Sequence, residues 1–219
     1  MRQFIVVEGL IGVGKTSLCR MLADEWSGRL VLEPSETNPF LEAFYEDPAR
    51  FSFPVQMYYL VTRWKQQASI RQEELFTNLV VSDYLWEKDR LFAQKTLDGM
   101  ELDLYEHFAS ALGEKAPSPD LVIFLDAPSD VILKRIEQRN CPGEHRIKAP
   151  YLIDLRERYK RLLADWDACP VMRIDNRDMD YLSNPLVRET LLAQIQSALR
   201  GESREVDAAD PVRQPSLFS

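Results

Sequence analysis

The sequence predicts an α/β fold in which a parallel sheet of five strands is flanked by helices. Three observations predict it. Short β-branched runs alternate with amphipathic segments along most of the 219 residues, the pattern of parallel strands joined by crossover helices. The first run stops at a glycine-rich turn that opens directly into a helical segment. Gly9, Glu33, Asp83 and Asp126 follow four of the runs, at the carboxyl ends where such sheets bind ligands.

The elements follow in order. Phe4-Ile5-Val6-Val7 has the composition of a buried strand. Residues 16–26 form a helix, with Leu18, Met21, Leu22 and Trp26 at helical spacing. Leu30-Val31-Leu32 is a second strand that ends at Glu33-Pro34. Helical stretches are expected at 38–45 and 53–75, and Leu79-Val80-Val81 is a third strand closed by Ser82-Asp83. Two more helices, 88–97 and 102–112, precede the clearest strand of the chain, 120–125. A helix at 129–139 leads into a polar loop at 140–149 that contains Pro and Gly. The helix 150–166, the strand Val171-Met172-Arg173-Ile174 and the helix 186–199 complete one domain, residues 1–200. The remainder, 201–219, is rich in Asp, Glu, Ser and Pro and is expected to be a disordered tail.

Apolar residues make up 45% and charged residues 28% of the chain, enough to bury an ordinary core. A net charge of −8 argues against broad binding to nucleic acid or to an anionic membrane, either of which needs a basic face. Cys19, Cys141 and Cys169 are odd in number and lack metal-ligand spacing, which fits a reducing cytosol. With no long apolar stretch, the expected location is the cytoplasm.

Gly9-Leu10-Ile11-Gly12-Val13-Gly14-Lys15-Thr16 fits G-x-x-x-x-G-K-[ST], the P-loop. Glycines let the main chain wrap around phosphates with its N–H groups pointing inward. The helix that follows brings its positive end to the same place. Lys15 is placed to reach the β- and γ-phosphates of a bound nucleotide, and Thr16 offers its hydroxyl to Mg²⁺. The motif specifies the phosphate donor only, and the acceptor is written elsewhere.

On the acceptor side Glu33, held at a turn by Pro34, is a candidate base for an attacking hydroxyl, with Glu36 and Glu42 as nearby alternatives. Gln56, Tyr59 and Arg63 share one helix face. Gln56 offers an amide donor and acceptor together, which suits the edge of a nucleobase. Asp83 stands where a carboxylate can hold Mg²⁺ opposite Thr16, and Asp89 lies six residues on. Arg135 and Arg139, four apart, lead into the polar loop, where arginines can neutralise charge on a transferring phosphoryl group; Arg146 is a third candidate.

Together these residues resemble the deoxynucleoside kinase family, in particular its bacterial purine and cytidine branch. The opening VVEGLIGVGKTSL, the pair Glu33-Pro34, Gln56 within FPVQMYYLVTR, Asp83 with Asp89, and Arg135 to Arg139 followed by Glu144 all carry the likeness, which runs from Met1 to about Leu199. The resemblance implies a P-loop NTPase fold of the nucleoside and nucleotide kinase type with a short lid loop, usually a homodimer through a helical face. It also implies ATP- and Mg²⁺-dependent phosphorylation of a deoxynucleoside 5′-hydroxyl, with Glu33 as base. Gln56, Arg63 and Asp89 are then implied at the base, and Tyr45 and Glu144 at the sugar 3′-hydroxyl. Two positions depart from the family pattern: Tyr84 stands in place of an arginine after Asp83, and Cys141 in place of the last lid arginine. Lys88, Arg90 and Arg146 are the cations available to replace them.

Two other readings share the P-loop: a nucleoside monophosphate kinase of the thymidylate type, and a weakly catalytic nucleotide-binding protein that acts through partners. The second draws on the tail, where Gln214-Pro215-Ser216-Leu217-Phe218 resembles the Gln-x-Ser-Leu-Phe peptide that docks bacterial proteins on the sliding clamp.

Overall fold

Strand β1 (Gln3–Gly9) occupies the middle of the sheet and is buried from Phe4 onward. It pairs in parallel with β3 (Leu79–Ser82) on one side and with β4 (Leu121–Asp126) on the other. Burial on both faces explains why these strands are continuous apolar runs and do not alternate. The outer positions are taken by β2 (Arg29–Val31), beside β3, and β5 (Val171–Asp175), beside β4. The computed structural model describes residues 3–72, 78–113, 116–201 and 205–208.

The order β2-β3-β1-β4-β5 contains the five expected strands, all parallel. A sixth, β6 (Glu205–Ala208), extends the sheet in parallel at the β5 edge, with Val171 opposite Glu205 and Ile174 opposite Ala208. The expectation that 201–219 is a disordered tail is therefore corrected for this segment. Its composition is polar, but Glu-Val-Asp-Ala alternates with the period of a strand, and the β5 edge offers unpaired main-chain groups to it. Residues 209–219, with the clamp-like peptide of Gln214, Ser216, Leu217 and Phe218, lie outside the described residues.

Helix α1 (Lys15–Glu25) packs on β1, β2 and β3 and buries Leu18, Cys19, Met21, Leu22 and Ala23. A short α2 (Leu41–Glu46) leads into α3 (Pro48–Gln72), which begins five residues before its expected start. Pro54 lies inside its second turn, where a proline reads from sequence as a helix boundary. Pro48 at the first helical position is the better start signal. Helices α4 (Lys88–Thr96) and α5 (Gly99–Gly113) pack with α3 around a small apolar cluster of Leu60, Ala93, Leu97, Tyr105 and Ala109. Helix α6 (Ser129–Arg139) has its expected bounds and ends at Asn140 in the left-handed conformation, a common helix stop. Helix α7 (Ala149–Ala164) packs on it, and α8 (Pro185–Leu199) connects β5 to β6. Among the described residues no helix is long and apolar enough to cross a membrane.

Candidate active site

The phosphate cradle forms where β1 ends. Gly9 has φ +144°, and a Cβ there would lie 2.2 Å from the carbonyl oxygen of Leu125. Gly14 has φ +109°, with the Asn176 amide nitrogen 2.9 Å from a built Cβ. Both positions need glycine on two counts, backbone conformation and space. Between them Leu10 and Val13 are fully buried, which anchors the loop to the core, while Ile11 and Gly12 are only half-buried. The Lys15 ammonium lies folded over the loop, donating to the carbonyls of Gly9 at 3.0 Å and Leu10 at 3.1 Å. Burial, and after it the charge of nearby Lys88, pulls the Lys15 pKa down to about 8.

Two strand ends meet beside this loop. The Thr16 hydroxyl donates to Asp83 Oδ2 at 2.8 Å, and the Glu33 amide donates to Asp83 Oδ1 at 2.7 Å. One carboxylate thus ties the P-loop helix to the end of β2. The Glu33 side chain points into a cationic grip: Lys88 Nζ lies 3.0 and 3.2 Å from its two oxygens, and Arg63 pairs with Oε1. Arg63 also pairs with Asp89, and its guanidinium lies over the rings of Tyr59 at 4.9 Å and Tyr84 at 5.3 Å. Burial lowers the pKa of both Arg63 and Lys88.

Apart from the Arg63–Asp89 Oδ1 ion pair, three buried polar atoms here have no hydrogen-bond partner in the structure: Arg63 Nε, Asp89 Oδ2 and the Tyr105 hydroxyl. Buried polar groups are rarely left so. These three are polar groups with which a ligand could exchange hydrogen bonds. Gln56, buried on the same helix, donates its amide to Thr96 at 3.1 Å.

The lid closes the other side. Arg139 makes two 2.6 Å hydrogen bonds to the carboxylate of Glu144, and it is an electrostatic neighbour of Lys15. Tyr45 packs against Gly143, its carbonyl accepts from Arg146 at 3.1 Å, and burial followed by the Glu144 charge pushes its phenol pKa up. Cys141 and Glu42 line a cavity of about 310 Å³ between the lid and α2.

Most of the expected site residues are thus brought together: the P-loop, Glu33, Asp83, Arg63 and Asp89 in one network, and Tyr45, Arg139 and Glu144 under the lid. Arg135 is placed differently from its expected role at the phosphoryl group. Its guanidinium donates to the carbonyls of Val13 at 3.3 Å, Asn176 at 2.8 Å and Arg177 at 3.2 Å. One turn before the lid, it faces the loop after β5 and braces the outside of the P-loop there, alongside the Asn176 amide, which also donates to Val13 at 2.7 Å.

Sequence reasoning missed two residues. Glu8 is fully buried and accepts from the amides of Gly9 at 2.9 Å and Leu85 at 2.8 Å and from the Tyr159 hydroxyl at 2.7 Å. It braces the cradle from behind. An acid within an otherwise apolar strand was the available signal. Tyr105 sits in an ordinary amphipathic pattern and gave none.

A model of the family described as deoxynucleoside kinase matches residues 5–200. The chain is 31% identical over 201 residues to a deoxyguanosine kinase of Bacillus subtilis, covering 90% of this chain and 97% of that one. It is 31% identical over 208 residues to the deoxyadenosine/deoxycytidine kinase of the same organism, covering 92% and 95%. Among solved structures, a deoxyadenosine kinase from M. mycoides superposes with a TM-score of 0.74 at 23% identity, covering 89% of this chain and all of that one. A complete cradle joined to an acceptor-side acid, with relatives matched over nine-tenths of the chain, establishes that this protein belongs to the deoxynucleoside kinase family.

Proposed function

We propose that the enzyme transfers the terminal phosphoryl group of ATP to the 5′-hydroxyl of a deoxynucleoside, a nucleotide-salvage reaction. The observation that supports this best is the chain Thr16–Asp83–Glu33, which joins the phosphate cradle to an acceptor-side carboxylate through two hydrogen bonds of 2.8 and 2.7 Å. Glu33 takes the hydroxyl proton as the alcohol oxygen attacks. Lys15 and the P-loop amides hold the donor phosphates.

The Thr16 hydroxyl and the Asp83 carboxylate are a pair of hard oxygen ligands fit for Mg²⁺. No group of three or more acidic, His or Cys side chains with metal-binding geometry exists among the described residues, which agrees with an ion held largely by water and substrate phosphates. Bound there, the ion would neutralise phosphate charge.

Gln56, Arg63 and Asp89, joined by the Tyr105 hydroxyl, read the base; Tyr45 and Glu144 hold the sugar 3′-hydroxyl; Arg139 covers the phosphoryl group from the lid. Arg135 supports the loop and does not act on the substrate. The enzyme works in the cytoplasm as a homodimer. Exposed Val61 and Trp64 on α3 and Met100, Leu104 and Phe108 on α5 supply the apolar helical face that a second copy would cover. The peptide 214–218 docks on the sliding clamp, which titration of that peptide, with a Leu217→Ala, Phe218→Ala control, checks.

The main reading is tested by incubating the four deoxynucleosides and their monophosphates with ATP and Mg²⁺. Conversion of at least one nucleoside to its 5′-monophosphate is expected. Turnover of monophosphates alone would replace this reading with a thymidylate-type kinase, and no turnover of either would leave a nucleotide-binding protein.

A further inference from the structure

We propose that Lys88 holds the acceptor side of the reaction, gripping the transferring phosphoryl group together with Lys15 while Glu33 takes the proton. The proposal rests on the kinase reading above and names a residue that this reading does not use.

Lys88 is the first residue of α4 and is only 5% exposed. A lysine there is unfavourable twice over: burial removes its hydration, and the helix end is itself positive. Rules of local stability are broken in this way mostly at functional sites. What the ammonium meets is both oxygens of Glu33. Yet Glu33 already has a cation in Arg63, so the lysine is not needed to keep that carboxylate paired. Lys88 is also the strongest neighbouring charge acting on Lys15. Lys15, folded over the phosphate cradle, and Lys88, on the acceptor-side carboxylate, are neighbouring ammonium groups, an arrangement that suits an anion.

The groups facing Lys88 are Glu33 from the end of β2, Arg63 from α3, Glu8 from β1, Asp83 after β3, and Lys15 from α1; the Phe92 ring lies 5.5 Å from its ammonium. The other cations considered for the acceptor side are engaged elsewhere. Arg90 is exposed and bonded to Glu106 at 2.6 Å, and Arg146 donates to the Tyr45 carbonyl. Tyr84 is buried, with its hydroxyl donating to Gln66 at 2.9 Å and accepting from Gln67 at 3.3 Å.

The chemistry makes use of this arrangement. A bond forms between the 5′-oxygen and the terminal phosphorus. The bond from that phosphorus to the bridging oxygen breaks, its electron pair leaves on ADP, and the hydroxyl proton passes to Glu33. The Lys88 ammonium, held beside the oxygens of Glu33, then faces the phosphoryl oxygens as the transfer proceeds. An interaction stronger in the transition state than in the ground state raises kcat.

The test compares the full-length enzyme with Lys88→Gln and Lys88→Arg. It measures kcat and KM for the preferred deoxynucleoside, Kd for ADP, and Tm. Lys88→Gln should lower kcat on the order of 10²–10³-fold while leaving KM and the ADP Kd within about threefold. Its Tm should not fall, because Arg63 still pairs with Glu33 and a buried charge has been removed. Lys88→Arg should recover much of kcat. Unchanged kcat in Lys88→Gln overturns the proposal. So does a Lys88→Gln chain that unfolds or melts early, which would make the lysine a structural counter-ion. If the parent enzyme phosphorylates no deoxynucleoside, the kinase reading fails first. A working parent with an equally active Lys88→Gln variant sinks the lysine assignment alone.

Discussion

Glu33 and Asp83, the acids that follow neighbouring strands, are tied together by a 2.7 Å hydrogen bond from the amide of the first to the carboxylate of the second. The proposed base is therefore positioned by the same side chain that accepts the Thr16 hydroxyl. A shift of the Asp83 carboxylate would move the proposed base as well. This coupling gives the proposed base a defined position.

Removing only the proton-accepting ability of Glu33 should separate binding from chemistry. Glu33→Gln keeps an oxygen for Arg63 or Lys88 and should lower kcat by about 10²–10⁴-fold, with nucleoside affinity little changed. Steady-state kinetics paired with equilibrium binding of the deoxynucleoside measures both. Unaltered turnover would remove Glu33 from the mechanism.

The cradle should be intolerant of a single methyl group. Gly14→Ala places a Cβ 2.9 Å from the Asn176 amide nitrogen at a φ of +109°. Loss of ADP binding is the expected result, read by calorimetry, while Gly99→Ala serves as a control because a Cβ there meets nothing within 4 Å. Gly99 also has a positive φ, +48°, so this control tests a left-handed backbone position without the clash.

Arg63 and Asp89 should behave as a coupled pair. Arg63→Ala leaves the buried Asp89 carboxylate without its counter-ion and should destabilise the fold by about 3–5 kcal/mol. The double variant Arg63→Ala, Asp89→Ala should lose less stability than the sum of Arg63→Ala and Asp89→Ala. Urea denaturation of the three variants decides whether the pair is coupled, and additive losses would show that it is not.

Alkaline pH should weaken the fold. Tyr84, Tyr151 and Tyr181 are each pushed up to about 12, burial being the largest cause in all three. Below pH 10 both folded and unfolded chains keep these protons. Between pH 10 and about 12 the unfolded chain releases them and the folded chain does not, so the unfolded state gains and stability falls as pH rises. Tm measured across that range should decline, and Tyr84→Phe should flatten part of the slope.

Much of this was legible in the residues themselves. The P-loop could be read because its chemistry is local: glycines at set spacing, then a lysine and a threonine, between an apolar run and a helix. The five strands were legible because burial on both faces leaves continuous apolar runs, and Glu33 and Asp83 were legible because each follows such a run. Arg135 shows where a linear reading stops. Its helix and its distance from the lid were correctly expected, but the direction of its side chain depends on the loop after β5, about forty residues away in the chain.

The sequence by itself determined the parallel sheet, the cradle and the identity of the acids at the strand ends, since periodicity and short-range spacing encode them. Only the tertiary structure decided that Glu8 braces the loop, that Glu205 to Ala208 join the sheet, and that Lys88 rather than Arg90 meets Glu33. Those outcomes depend on which side chains from distant elements share a buried space, and on the need to pair charges there; neither is written in the spacing of neighbours along the chain.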